Sequence, residues 1–303
     1  MAKGVGEGLE AFLKVLSFDP KEAVKSVLLD CGERVPSKNV LCRFYITKCT
    51  ADGFREDVLM DLMLGWVVVY VTKKEERDKA KAQDWFKLVR TAREMFTQAP
   101  TSGEGGELLL FLLLEANGII QLYSKMDLKT NPNLNFNGCD AIHIRVGKEI
   151  SLCFGHAKMH ADLTGALSSA LEDVRQIHQN KIQRRLEFRL VNSNLDGSKF
   201  GPYEAKIRSM LDPYSEDRST YKEFDAIFLG TNWEFAKSTA MKGDSGLEQF
   251  MVRQYSSEID KVAAKIGTAV LSSEEPNVEH LIFLLPFVDV NRFRLEFMEA
   301  VTP

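Results

Sequence analysis

Little in this chain can staple it from outside. Its five cysteines (Cys31, Cys42, Cys49, Cys139 and Cys153) are odd in number, scattered, and never in a C-x-x-C. That spacing excludes a disulfide framework and a zinc ribbon, and it implies reduced thiols in a cytoplasmic setting. The longest apolar runs, around residues 65–71 and 108–114, fall far short of the roughly 20 residues of a membrane span, so no membrane partner is expected. The opening Met-Ala-Lys-Gly-Val-Gly-Glu-Gly lacks the apolar core of a signal peptide. Internal repeats and low-complexity tracts are missing too. Nor is there an excess of positive charge: 39 Lys and Arg against 43 Asp and Glu leave a net charge of −4. Any contact with DNA must then come from a local patch or a partner subunit.

What remains is an ordinary globular composition, 45% hydrophobic and 27% charged, with enough chain to bury a core without metal or disulfide support. Gln98-Ala-Pro-Thr-Ser-Gly is the clearest break. It divides a mixed, mostly helical region at 1–98, suited to docking a partner, from a second domain at 99–303. In the first region Leu9, Phe12, Leu13 and Leu16 repeat at helical spacing. Residues 39–47 alternate as a strand, and 55–64 and 86–96 read as helices. Residues 66–71 suit either a buried helix end or a strand.

The second region opens with Glu104-Gly-Gly-Glu and an apolar run, a helix acidic in its first turn and buried on most sides. Its glycines are not a phosphate loop, because no Gly-Lys-Ser/Thr follows. Two short strands, 141–146 and 150–154, flank a turn at 147–149. A helix capped by Asp162 or Thr164 then runs toward Arg185. A buried strand at 224–229, a helix at 246–266, a strand at 278–285 ended by Pro286 and a helix at 290–301 complete an α/β pattern around a mixed sheet.

The hairpin carries the chemistry. A three-residue turn pairs Val146 with Ile150, Ile144 with Leu152, Ile142 with Phe154, and Asp140 with His156. Asp140, His156 and Lys158 then end one otherwise apolar face. Opposed β-carbons lie about 4.5–5.5 Å apart, near enough to share one cation. A carboxylate, a second ligand and a lysine are what metal-assisted phosphodiester hydrolysis needs: the metal polarises the phosphate and acidifies a water, and the lysine orients it or balances charge. Glu104 and Glu107, at i and i+3, offer further acid. From spacing alone the plainer reading is the commoner one: Asp140 as a turn residue and Lys158 as a surface lysine.

Four blocks in order resemble the HamA C-terminal domain family, the effector of the Hachiman antiphage system: Glu104-Gly-Gly-Glu-Leu-Leu-Leu, Ser124-Lys-Met-Asp-Leu-Lys-Thr, Gly138-Cys-Asp-Ala-Ile-His and Phe154-Gly-His-Ala-Lys. The strand-Pro-helix after Leu281 is similar as well. The resemblance implies a restriction-endonuclease-like fold of the PD-(D/E)xK group over 99–303, a mixed sheet flanked by helices. It implies a metal-dependent nuclease acting on DNA beside a helicase partner, HamB. By position Asp140 would bind a divalent ion (Mg²⁺ or Mn²⁺), Lys158 would be the catalytic lysine, and Glu104 or Glu107 the helix acid, with Glu107 a further metal ligand. Lys125 and Lys129 would contact phosphate, or simply be solvated. Arg184 and Arg185, within a basic stretch with Arg175 and Lys181, would face the backbone of DNA or merely end a helix in water.

At its centre the chain departs from the family pattern, having Gly155-His156-Ala157-Lys158 where the family has Gly-Glu-Ala-Lys. Imidazole prefers softer ions than a carboxylate does. The site is therefore active with a preference for Mn²⁺, weakened, or idle and retained for binding DNA or the helicase. His156 and His160, at i and i+4, lack the intervening general-base glutamate of a zinc protease, since Ala157 occupies its place. His143, His178 and His280 have no spaced partners and read as structural or surface residues.

Overall fold

The computed structural model describes residues 19–50, 53–97, 99, 102–124, 126, 139–147, 149–212, 214–215, 221–235, 247–275 and 277–302. The helical pattern expected at Leu9–Leu16 lies outside them. In chain order the elements are α1 (Pro20–Val27), β1 (Leu28–Ser37), β2 (Val40–Thr47), β3 (Cys49–Thr50), β4 (Gly53–Phe54), α2 (Glu56–Val71), α3 (Lys74–Lys79), α4 (Ala82–Glu94) and α5 (Glu104–Ala116). Then follow β5 (Ile119–Gln121), β6 (Ala141–Val146), β7 (Ile150–Met159), α6 (Leu163–Gln179), α7 (Lys181–Asn194), α8 (Glu204–Leu211), β8 (Tyr221–Asn232), α9 (Leu247–Leu271), β9 (Glu279–Phe287) and α10 (Val290–Val301).

Seven strands form one mixed sheet in the order β1-β2-β9-β8-β7-β6-β5. The central strands β2, β9, β8 and β7 run parallel, and antiparallel pairs close both edges. Parallel strands are buried on both faces, and here β8 reads Phe224-Asp-Ala-Ile-Phe-Leu with every one of these residues buried. One face packs against α1, α2, α4, α5 and α10. The other packs against α6 and α9, while α7 and α8 cover it beyond the β6–β7 hairpin. The fold is thus α/β, a mixed sheet flanked by helices.

The chain before residue 98 contributes more than helices. Its β1–β2 hairpin enters the main sheet, with β2 in register against β9 from Val40↔His280 to Phe44↔Leu284. The sheet therefore crosses the break expected at residues 98–103. The ambiguous run at 66–71 is the end of α2, buried almost throughout. Strand β9 continues through Pro286 to Phe287 instead of stopping at the proline. Its ladder to β2 ends at Leu284, so Pro286 sits where that side has no partner strand, a position at which a residue without an N–H is tolerated.

Helix α5 sets the geometry of the hairpin. Leu108–Leu114 are all buried, as a helix apolar on every side requires. A Cβ added to Gly155 would lie 2.7 Å from Ala141 Cβ and 2.9 Å from Leu110 Cδ2, so only glycine allows this approach of helix to sheet. Ala157 and Met159 face the same helix through Gly106. Because side chains alternate along a strand, His156 and Lys158 point to the opposite face, toward α6.

Candidate functional site

The hairpin register matches the alternation: Val146 faces Ile150, Ile144 faces Leu152 and Ile142 faces Phe154. Strand β7 runs on to Met159, so His156 and Lys158 lie within it and pair with Ile227 and Leu229 of β8. Asp140 sits one residue before β6 and donates its backbone N–H to Gly155 O at 3.0 Å. The chain thus brings Asp140 beside the Gly155–Lys158 segment. Their polar tips, however, go to different partners.

The Asp140 carboxylate turns along the sheet edge, where Oδ2 accepts the N–H of Ala157 at 2.8 Å. This satisfies an N–H that β6 is too short to reach. Glu107 Oε2 accepts a hydrogen bond from the Tyr70 hydroxyl at 3.4 Å, and Glu104 Oε2 accepts the N–H of Thr97 at 2.8 Å. Burial, followed by the negative charges of Glu107, Glu104 and Asp140, pushes the Tyr70 hydroxyl well above its ordinary range. The three acids therefore share one neighbourhood around that phenol.

His156 lies elsewhere. Its imidazole, 1% exposed, places Nε2 3.3 Å from Asp225 Oδ1. The other carboxylate oxygen of Asp225 receives His178 Nε2 at 2.9 Å, and His280 Nδ1 stands 3.9 Å away. Asp225 is wholly buried. Burial pushes its carboxyl up, but the hydrogen bonds and charges of His156 and His178 outweigh that and hold it below the usual range. An ionised carboxylate only accepts, so both imidazoles present Nε2–H to it. His280 is pushed down by burial and stays neutral near pH 7.

Lys158 forms an ion pair with Asp173 of α6 at 2.5 Å, both side chains being partly exposed. Arg184 pairs with Glu223 and lies over the rings of Phe154 and Phe188, at 5.3 and 5.5 Å from their centroids. It is thus committed to the fold. Arg175 pairs with Glu172. Arg185 is exposed. Lys125 and Lys129 lie outside the described residues.

Among the described residues, no three His, Cys, Asp or Glu side chains are arranged to hold a metal ion. The shared cation between Asp140 and His156 requires His156 to aim toward Asp140, whereas Asp225 turns it to α6. In this arrangement the donor set does not fit the ion that the resemblance implies. No local spacing in the sequence singles out Asp225, and His178 and His280, without spaced partners in the chain, find theirs only through the fold. The available signal was an acid inside the apolar run of β8, which a buried strand admits only with hydrogen-bonding partners.

These features define an α/β protein with a mixed sheet, an acid-bearing hairpin and a buried carboxylate–histidine cluster. The family model HamA matches residues 22–301, and the chain belongs to that family. HamA membership fits a role in antiphage defence. Among curated proteins, none matches the chain. No helix among the described residues is long and apolar enough to cross a membrane.

Proposed function

We propose that this chain serves an antiphage complex as a nuclease-fold subunit with a weakened or idle cleavage centre, contributing binding to DNA or to a helicase partner. One observation carries the reading: His156, where the family pattern has a glutamate, is buried and engaged by Asp225 at 3.3 Å. Its Nε2 is therefore not offered toward Asp140. Lys158 is likewise neutralised by Asp173. A buried imidazole on a buried carboxylate supports the fold, since separating them would leave Asp225 short of a donor.

A second reading, a metal-dependent deoxyribonuclease, is favoured by the gathering of Asp140, Glu104 and Glu107 around Tyr70. It requires His156 to leave Asp225 or to play no part. Plasmid cleavage by the purified chain in Mg²⁺ and in Mn²⁺, with Asp140→Asn and Lys158→Ala alongside, separates the two. The first reading expects no cleavage above background and no difference among the three proteins. Metal-dependent cleavage that both substitutions abolish would overturn it in favour of the second.

A further inference from the structure

Helix α7 buries Phe188 and Val191 against the hairpin and turns an unusual face outward. Lys181, Arg185 and Arg189 recur every four residues and are all exposed. They form one ridge about 12 Å long. Beside it runs an apolar ridge, with Ile182 73% and Leu186 58% exposed. An open groove of about 830 Å³ lies along Ile182, Leu186 and Arg189, lined also by Gln183, Glu187, Leu190 and Ser193.

The three cations have no ion pair or hydrogen-bonding partner among the described residues. The helix carries a single acid, Glu187, and it is buried. A local charge of +3 on a chain of net charge −4 selects a partner of opposite sign. The apolar ridge selects further. Phosphates gain nothing from Ile182 and Leu186, while an apolar stripe removes them from water at about 25 cal/mol per Å². Apolar centre and charged rim are the anatomy of a protein interface. A second copy of α7 would set cation against cation.

We propose that the outer face of α7 docks an amphipathic helix of a partner protein, with an apolar stripe laid on Ile182 and Leu186 and carboxylates flanking it against Lys181, Arg185 and Arg189. This surface is separate from the Asp140 hairpin, so it stands whether or not the chain cleaves DNA.

Fluorescence anisotropy on the full chain tests it. The probes are a synthetic leucine-striped helix of about five turns flanked by glutamates, the same helix flanked by lysines, and single- and double-stranded DNA of matching length. The glutamate-flanked helix should bind, and Leu186→Ser and Arg185→Glu should each weaken it about tenfold. Arg185→Glu should also narrow the preference for glutamate over lysine. Both substitutions are at exposed positions, which leaves the core intact. No binding of the glutamate-flanked helix, or binding unchanged by both substitutions, would overturn the proposal. So would DNA binding lost in Arg185→Glu, unaffected by Leu186→Ser and stronger than peptide binding, which assigns the ridge to phosphates.

Discussion

Asp225 and His156 occupy adjacent parallel strands and meet at 3.3 Å in the interior, a carboxylate and an imidazole with almost no exposure to water. The pair sits two residues out of direct opposition and so on one face of the sheet, since Asp225 faces Phe154 and His156 faces Ile227. His178 reaches the second carboxylate oxygen from α6, so one anion ties two strands to the helix above them.

Removing that anion should be costly. Asp225→Ala strands the buried Nε2–H of His156 and the partly buried one of His178, and breaking a buried charged hydrogen-bonded set costs about 3 kcal/mol or more. Urea unfolding should show a correspondingly lower midpoint with an unchanged slope. Wild-type stability in this variant would disprove the cluster's role.

His143 gives a pH signature of its own. Burial, followed by the charge of Lys199, pushes its imidazole down to about 3, against about 6.5 in an unfolded chain. Between these values the unfolded state holds a proton that the native state refuses. Stability therefore falls as pH falls through this window, by about 1.4 kcal/mol per unit for this one group. His280 adds in the same direction, while Asp225 contributes only below about pH 4, where unfolded carboxyls take up protons. Among the described residues neither ring nitrogen of His143 has a hydrogen-bonding partner, and its ring already lies 6.1 Å from that of Phe111. His143→Phe should then leave stability at pH 7 nearly unchanged and flatten the loss measured at pH 5. An identical loss in the variant would contradict the burial argument.

The helix-to-hairpin approach is equally specific. Gly155→Ala places a methyl within 2.7 Å of Ala141 Cβ, and such overpacking costs about 1–3 kcal/mol. Gly103→Ala, where an added methyl meets nothing within 4 Å, is the matched control. Thermal melts should separate the two variants clearly, and equal melting temperatures would argue against the close approach.

The hairpin register was readable because isoleucine, leucine and phenylalanine alternate on both arms, and slipping by one residue would turn every one of them to the wrong face. The helix at 290–301 was readable from its amphipathic pattern, and in the structure Asp289 caps it by accepting the N–H groups of Asn291 and Arg292. Strand β1 stayed hidden: as an edge strand it carries Asp30, Glu33 and Arg34 in place of an apolar pattern, and its register shifts twice. Where the site's side chains point was hidden for a different reason. Asp225, His178 and His280 come from distant segments, and no local spacing reports that they converge on His156.

Strand β9 supplies the middle of the sheet from the far end of the polypeptide, between β2 and β8. During translation the β1–β2 hairpin must wait on the ribosome until Glu279–Phe287 emerges before it can join the sheet. A product cut short before that strand would carry two raw edges and invite degradation.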